Sequence, residues 1–182
     1  MDPYDLIREF YNPASDLYSL LVFHSERVAE KALAIARSVP QLHPDLDFIR
    51  QAAMLHDIAI FQTNAAQIRC QGKHPYVMHG LLGRKILEQK GLPRHALVCE
   101  RHVGVGISKE EIQHRRLQLP LRDMIPQSIE EIIVCFADKF FSKDPGHNRT
   151  EKTLPEVMAT VSRYGEKQAE RFMAYKALLN YP

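Results

Sequence analysis

Residues 49–60 read IRQAAMLHDIAI, and this stretch decides how the chain folds. Apolar residues occupy nearly every face of a helix built from it, which is the pattern of a helix that is buried on all sides. We therefore predict a central helix in the interior of the protein. The adjacent residues His56 and Asp57 are the polar centre of this stretch, and they are the starting point for a functional interpretation.

Helical periodicity extends to both sides of the central stretch. Between residues 15 and 38 apolar residues recur at steps of three and four, and Pro40 ends this helix because the residue before proline leaves the helical region. Ser128 and Glu131 form a capping-box pattern that opens a later helix. The polar segment 61–73 is predicted to be a loop, and no period-2 run is long enough for a strand, so the predicted fold class is all-α. The predicted helices span about residues 2–11, 15–38, 43–60, 74–90, 93–103, 109–116, 128–142 and 154–179.

Length, composition and charge restrict the class of protein. At 182 residues we expect a single domain, and the 45% apolar and 25% charged fractions are those of an ordinary globular protein. The net charge of +2 predicts neither a nucleic-acid polymer nor a membrane as partner. No basic start precedes an apolar run, and no apolar run reaches about 18 residues, so we expect no signal peptide or membrane span. Three cysteines without CxxC spacing predict free thiols in the cytoplasm.

Four histidines and two aspartates lie at five places in the predicted helices, if an adjacent His-Asp pair is counted as one place. They are His24, the pair His56-Asp57, His79, His102 and Asp138. Neutral imidazole suits zinc, iron, copper or nickel, and carboxylate adds a preference for manganese or magnesium. Asp138 lies in the apolar stretch VCFADKFF, where a buried carboxylate needs a metal or another cation as its partner. Helices that pack side by side could bring these side chains together.

The six side chains divide into ligands for two ions if Asp57 bridges them. Adjacent helical positions diverge by about 100°, so His56 and Asp57 reach one ion only if they lie near a helix end. Asp57 has two carboxylate oxygens and can bind a different ion with each. Two divalent ions about 3.5–4 Å apart suit in-line displacement at phosphorus. The predicted ligands are His24, His56, Asp57 and Asp138 for the first ion, and Asp57, His79 and His102 for the second.

The chain resembles the HD-domain superfamily from about residue 20 to residue 143. The matching stretches are HSERV at 24–28, LHDIA at 55–59, HGLLGRKIL at 79–87, RHVGVGI at 101–107 and FADKF at 136–140. The two additional histidine positions are typical of a two-metal subset, so the resemblance implies an HD-domain helical bundle with metals in its core. Residues 144–182 are then a helical extension of the same single domain, 1–182. Ile60 departs from the pattern, because several members of the subset have a lysine there.

These observations predict a metal-dependent phosphohydrolase that acts on a small phosphorylated substrate, such as a nucleotide, through a metal-activated water. His56 and Asp57 are the predicted catalytic residues. Arg27, Lys139 and Lys143 are the predicted substrate-binding residues, because their cationic groups could hold a phosphate. The candidate cofactors are two divalent ions of iron, manganese, zinc or nickel.

Two alternatives share the same ligand set. The six-ligand set also resembles that of myo-inositol oxygenase, which loads iron. A di-iron HD-type oxygenase therefore fits the same ligands. The second alternative is a non-catalytic nucleotide-sensing module, which is favoured by Ile60 standing where several members of the subset have a lysine. A homodimer could form through helix faces that the core does not use, although no heptad repeat specifies one.

The remaining histidines have no partner pattern in the sequence. His74, five residues before His79, is the main rival as a ligand, and its position before Pro75 favours a cap or loop residue. His43, His95, His114 and His147 are predicted to be surface or loop residues.

Overall fold

Nine α-helices form most of the computed structural model, which describes residues 1–144, 146 and 150–182. This confirms the predicted all-α class. The helices are α1 (Pro3–Arg8), α2 (Asp16–Ser38), α3 (Leu46–Leu55), α4 (His79–Gln89), α5 (Pro93–Arg101), α6 (Lys109–His114), α7 (Ile129–Asp138), α8 (Leu154–Ser162) and α9 (Glu166–Leu178). None of the helices in this described part of the chain is long and apolar enough to cross a membrane.

Helix α2 begins and ends where the sequence predicts. The Ser15 hydroxyl accepts a hydrogen bond from the Tyr18 N–H, which satisfies one of the free donors at the start of the helix. The helix ends at Ser38, just before Pro40. It packs against α3 and α7, and its buried residues include Leu21, His24, Val28, Ala32 and Ile35.

Helix α3 is the predicted central helix. The Asp45 carboxylate caps it by accepting a hydrogen bond from the Phe48 N–H. Ile49 and Leu55 are fully buried, and the helix contacts α2, α5 and α7. Burial on several sides explains why its sequence is apolar on nearly every face.

The chain leaves α3 earlier than predicted. After Leu55 the backbone hydrogen bonds join residues three apart, as in a 3₁₀-helix, and no longer four apart. The Ile58 N–H donates to the Leu55 carbonyl and the Ile60 N–H donates to the Asp57 carbonyl. The prediction of a helix through residue 60 is therefore wrong over its last turn. This tighter turn places Asp57 just beyond the helix. The angle of about 100° that separates consecutive side chains in a helix therefore does not apply between His56 and Asp57.

The predicted loop at 61–73 is also wrong, because this segment builds a small sheet. Strands β1 (Thr63–Ala65), β2 (Cys70–Gln71) and β3 (His74–Pro75) lie in the order β2-β1-β3. β1 is antiparallel to β2, with Asn64 opposite Gln71, and parallel to β3, with Thr63 opposite His74. Strands of two or three residues are too short to show alternating hydrophobicity, so the sequence carried no signal for them.

This sheet also moves the start of α4. His74 and Pro75 pair with β1, and after a 3₁₀ turn at Tyr76–Met78 the helix begins at His79 rather than at residue 74. A Cβ at Gly72 would lie 2.0 Å from the Gln62 carbonyl carbon, so only glycine permits this approach of the two backbones. The fold thereby places His79 at the first position of α4.

Helices α7 and α9 join the C-terminal part to the rest of the bundle. The Ser128 hydroxyl accepts a hydrogen bond from the Glu131 N–H, as the sequence predicts for the start of α7. The Phe136 ring of α7 stacks on the Phe172 ring of α9, with 4.6 Å between their centroids, and both side chains are fully buried. Helix α9 therefore covers one side of α7.

Two glycines of α4 set how closely this helix approaches α5. A Cβ at Gly80 would lie 2.4 Å from the Cys99 carbonyl oxygen, whereas a Cβ at Gly83 would lie 3.1 Å from the Cys99 Sγ. Alanine has a higher helix propensity than glycine, which favours both substitutions. A backbone atom, however, moves away from a close contact less readily than a side-chain atom does. We expect Gly80→Ala to lower the free energy of unfolding by about 1–3 kcal/mol, as measured by urea denaturation.

The matched control is Gly83→Ala, which we expect to be the milder change. A Gly80→Ala protein at least as stable as the Gly83→Ala protein would contradict this account of the α4–α5 contact.

Candidate metal centre

Six buried side chains converge at the middle of the bundle, three of them from the helices α2, α4 and α7 and three from the residues just after α3 and α5. All of them lie at or near the end of a helix except His24, which lies within α2. Exposure is 6% or less for every one of them, so solvent hardly reaches the cluster. They are His24 of α2, His56 and Asp57 after α3, His79 at the start of α4, His102 after α5 and Asp138 at the end of α7.

One group of four side chains is arranged around a common point. His24 Nε2 lies 3.0 Å from Asp138 Oδ1 and 3.4 Å from Asp57 Oδ2. His56 Nε2 lies 3.2 Å from Asp57 Oδ2 and 3.4 Å from Asp138 Oδ1. One possible ligand atom from each of the four falls within 4.8 Å of all the others, so the group could hold a metal ion.

A second group of three side chains meets the other oxygen of Asp57. Asp57 Oδ1 lies 3.3 Å from His79 Nε2 and 3.4 Å from His102 Nε2, and the two imidazole nitrogens are 3.1 Å apart. These three ligand atoms also fall within 4.8 Å of one another. The structure thus brings together all six side chains in the two groups that the sequence predicts, although their role as ligands remains a prediction.

Backbone carbonyls orient three of the four imidazoles. The Nδ1 atoms of His56, His79 and His102 lie 2.6 Å, 2.6 Å and 2.8 Å from the carbonyl oxygens of Ala53, Tyr76 and Cys99. A carbonyl can only accept, so each Nδ1 carries the proton and donates it. In the neutral form of each imidazole, Nε2 then has its lone pair directed into the cluster, which is the arrangement usual for metal-binding histidines.

The electrostatics of the cluster favour ligand forms at most positions. Burial lowers the pKa of His24 to about 4 and that of His79 to about 3, so both imidazoles are neutral at pH 7. Burial alone would raise the pKa of Asp57, but Lys143 and His56 hold it well below the usual value, so the carboxylate is ionised. Burial would likewise lower the pKa of His56, yet Asp57 raises it to about 9. Metal binding needs neutral imidazole and ionised carboxylate, and would therefore release the His56 proton.

The fit of a metal is tested by the buried oxygens of Asp57. Neither oxygen accepts a hydrogen bond of normal geometry from the described residues, although the Lys143 ammonium forms an ion pair with Oδ2 at 2.6 Å. An ionised, fully buried carboxylate is costly when its lone pairs lack partners. The nitrogen and oxygen donors around it suit a divalent transition metal, so the residues fit the metal that the sequence predicts.

The three predicted substrate-binding residues lie in different surroundings. Lys143 Nζ is 2.6 Å from Asp57 Oδ2, and Lys139 Nζ donates to Asp138 Oδ2 at 2.6 Å and to the His102 carbonyl at 3.1 Å. Both ammonium groups therefore neutralise carboxylates of the cluster. The Arg27 guanidinium lies 5.3 Å from the centroid of the Phe141 ring. Substrate binding by Arg27, Lys139 and Lys143 remains a prediction.

A pocket of about 310 Å³ opens onto the cluster. His79, His102 and Asp138 are among its lining residues, together with Lys139 and Lys143, the two lysines that neutralise the carboxylates. Sequence reasoning missed seven further polar or aromatic residues of its wall, because no motif or spacing connects them. They are Tyr76, Arg115, Phe141, Lys152, Thr160, Tyr164 and Gln168.

Among the other histidines, His95 corrects a prediction. It is buried in α5, where its ring lies edge-on to Phe48 with 4.8 Å between centroids, and burial lowers its pKa to about 4. The prediction of a surface or loop residue failed because its apolar partner comes from a distant part of the sequence. His43, His74 and His114 are exposed and outside the cluster, while His147 lies outside the described residues.

Comparison with known proteins gives a family and a set of relatives. The family model described as HD domain matches residues 21–142. The tRNA (cytidine(56)-2'-O)-methyltransferase of Picrophilus torridus is 35% identical over 126 residues, which are 69% of this chain and 32% of that protein. The protein of the same name from Thermoplasma volcanium is 34% identical over 125 residues, which are 68% and 32% of the two chains. No solved structure matches significantly.

A third relative, an uncharacterized protein of Methanocaldococcus jannaschii, is 34% identical over 124 residues, which are 63% of this chain and 66% of that protein. The chain therefore spans about a third of the length of the two methyltransferases and about two thirds of the third relative.

These relatives correct three predictions. Both named proteins are methyltransferases of tRNA, so the predicted phosphohydrolase function, the hydrolase class and the exclusion of a nucleic-acid polymer are wrong. The physical reason is that histidines and carboxylates select a metal and leave the substrate undetermined. A net charge summed over the whole chain also says little about the charge lining one pocket.

The shared carboxylate makes the metal content of the protein testable. We expect Asp57→Asn to lose most of the transition metal that the wild-type protein carries, because an amide offers one weak oxygen in place of two charged ones. The measurement is elemental analysis of both proteins after purification without chelator. His95→Asn removes a buried imidazole outside the cluster and should retain wild-type metal content; equal loss in both variants would argue against the assigned ligands.

Proposed function

This chain belongs to the HD domain family, and we propose that it serves 2′-O-methylation of tRNA by holding the RNA beside a buried metal centre. The observation that carries the proposal is the alignment of two thirds of this chain with two proteins named as tRNA (cytidine(56)-2'-O)-methyltransferases. About two thirds of each of those proteins lies outside the alignment. We therefore assign the RNA-holding part of the function to this chain and assign methyl transfer to none of its residues.

The proposed centre would hold two metal ions, one in each of the two groups of side chains, and Asp57 belongs to both groups. Support comes from the two carboxylate oxygens, which face different imidazoles, at 3.2 Å for Oδ2 to His56 and 3.3 Å for Oδ1 to His79. Iron, manganese, zinc and nickel all suit this donor set. When bound, such ions supply positive charge and Lewis acidity toward an oxygen ligand. The elemental analysis proposed above should accordingly give up to two equivalents per wild-type chain.

The pocket beside the centre has the composition of a site for single-stranded nucleic acid. Four basic side chains line it, against the single carboxylate of Asp138. Aromatic rings of Tyr76, Phe141 and Tyr164 also contribute to its wall. Cationic groups attract the phosphate backbone, and aromatic rings offer faces on which bases stack.

The size of the pocket limits what can enter it. Its volume of about 310 Å³ lies at the lower end of the range for small-molecule sites, about 300–1,000 Å³. Such a volume suits one unpaired nucleotide and excludes a base-paired helix. RNA-binding proteins commonly recognise unstacked nucleotides of loops and ends in this way. We infer that a single nucleotide of tRNA enters the pocket.

Tyr164 allows a direct test of RNA binding. Its side chain is 47% exposed and lines the pocket, which makes it the most accessible of the three aromatic rings for stacking. We expect a tRNA transcript to bind the wild-type protein and Tyr164→Ala to weaken binding about tenfold, because one base–aromatic stack contributes about 1–3 kcal/mol. Fluorescence anisotropy with labelled tRNA would measure both affinities.

The matched control is Phe23→Ala, which removes another exposed aromatic ring, 36% exposed, outside the pocket. It should leave the affinity for tRNA unchanged. Failure of the wild-type protein to bind tRNA would refute the proposed function, and equal weakening by both variants would place the RNA elsewhere.

Methylation itself can be measured in cells that lack the gene. We expect 2′-O-methylation at cytidine 56 of tRNA, the position in the relatives' name, to fall when the chain is absent and to return with the wild-type gene. Primer extension at limiting nucleotide concentration reports the modification. Complementation with Gly83→Ala, a variant outside the pocket, should restore it as the wild type does; unchanged methylation in the deletion strain would show that the chain serves another process.

A further inference from the structure

The four basic side chains of the pocket fall into two kinds. Lys139 and Lys143 are ion-paired with Asp138 and Asp57, each at 2.6 Å. Arg115 and Lys152 line the same pocket, but their side chains form no hydrogen bond or ion pair with any residue in the described ranges. The charges of the first pair are thus balanced within the protein, whereas those of the second pair remain available to a ligand.

Lys152 is held at the pocket by its backbone. Its N–H donates to the Phe140 carbonyl at 2.8 Å, which fixes this residue just beyond the end of α7. The side chain is partly buried, and burial lowers its pKa; Asp138 and Glu156 oppose this effect, while Lys139 and Lys143 add to it. A cation that is partly removed from water is stabilised by a bound anion.

Arg115 enters the pocket from the end of α6. This helix is fixed at its start by the capping box of Ser108 and Glu111. Gln168 and Arg171 of α9 bind the Glu111 carboxylate at 2.7 Å and 3.0 Å, so α6 is tied to the C-terminal helices. The planar guanidinium of an arginine at such a fixed position can bind a phosphate through two parallel hydrogen bonds.

We propose that Arg115 and Lys152 form a phosphate-binding subsite, distinct from the buried histidines and carboxylates, for a phosphodiester of single-stranded RNA. The identity of the ligand rests on the proposed function, since RNA is the polyanion that the pocket would meet. The two cations come from different elements, one just after α6 and one just before α8, and both line the same pocket. A phosphate bound there would orient the attached nucleotide toward the metal centre.

The test measures binding of a tRNA transcript to Arg115→Gln and Lys152→Gln across a series of salt concentrations. Each substitution should weaken binding about tenfold, as expected for loss of a charged hydrogen bond. Each should also reduce the slope of log K against log salt concentration by about one, because one phosphate contact releases about one counterion.

The control variants are Arg116→Gln and Lys167→Gln. Both residues are exposed and outside the pocket, and Arg116 is the direct neighbour of Arg115. These substitutions change the net charge by the same amount as the pocket substitutions do. Because Arg116 and Lys167 lie outside the pocket, their loss should leave the affinity within about twofold of wild type and the salt slope unchanged. Circular dichroism melting of all four variants verifies that each is folded.

A second arm with inorganic phosphate separates the subsite from the proposed function. Calorimetric titration should show phosphate binding to the wild type and to both controls, with weaker binding to Arg115→Gln and Lys152→Gln. This result without tRNA binding by the wild type would support the subsite and refute the proposed function. Binding of tRNA that is equally strong in the pocket and control variants would overturn the subsite and leave the proposed function standing.

Discussion

The buried carboxylate of Asp57 is the constraint on which the rest of the bundle depends. It is fully buried, ionised, and surrounded by imidazoles on both of its oxygens. An ionised group in an apolar core is tolerated only when opposite charge or ligands surround it closely. The chain meets this requirement by placing element ends around one point: α3 stops just before it, α4 begins at His79, α5 stops just before His102, and α7 ends at Asp138.

Element ends provide a freedom that the middle of a helix lacks. Within a regular helix two consecutive side chains point about 100° apart, which would send His56 and Asp57 in different directions. Because the chain turns more tightly after Leu55, both side chains point into the cluster, and His56 Nε2 lies 3.2 Å from Asp57 Oδ2. The free carbonyls of the last turn of a helix are also put to use, since the Cys99 carbonyl accepts the Nδ1 proton of His102.

Charge is distributed in two layers between the centre and the pocket. The lysines next to the carboxylates, Lys139 and Lys143, neutralise the centre, and the outer cations Arg115 and Lys152 remain unpaired within the described chain. A net charge of +2 for the whole protein conceals this local excess of positive charge. The overall charge is therefore a poor guide to the partners of one pocket, and the prediction that excluded a nucleic-acid polymer was contradicted by relatives named as tRNA methyltransferases.

The sequence by itself determined the helical class, the buried central helix and the six residues of the cluster. Periodicity and capping are local properties, so residues such as Ser15 and Ser128 set helix starts that the structure reproduces. Only the tertiary structure decided the turn after Leu55, the sheet at 63–75 and the wall of the pocket. Those features depend on residues far apart in the chain, such as Arg115 and Lys152, which line the same pocket, and spacing along a sequence does not encode which distant surfaces meet.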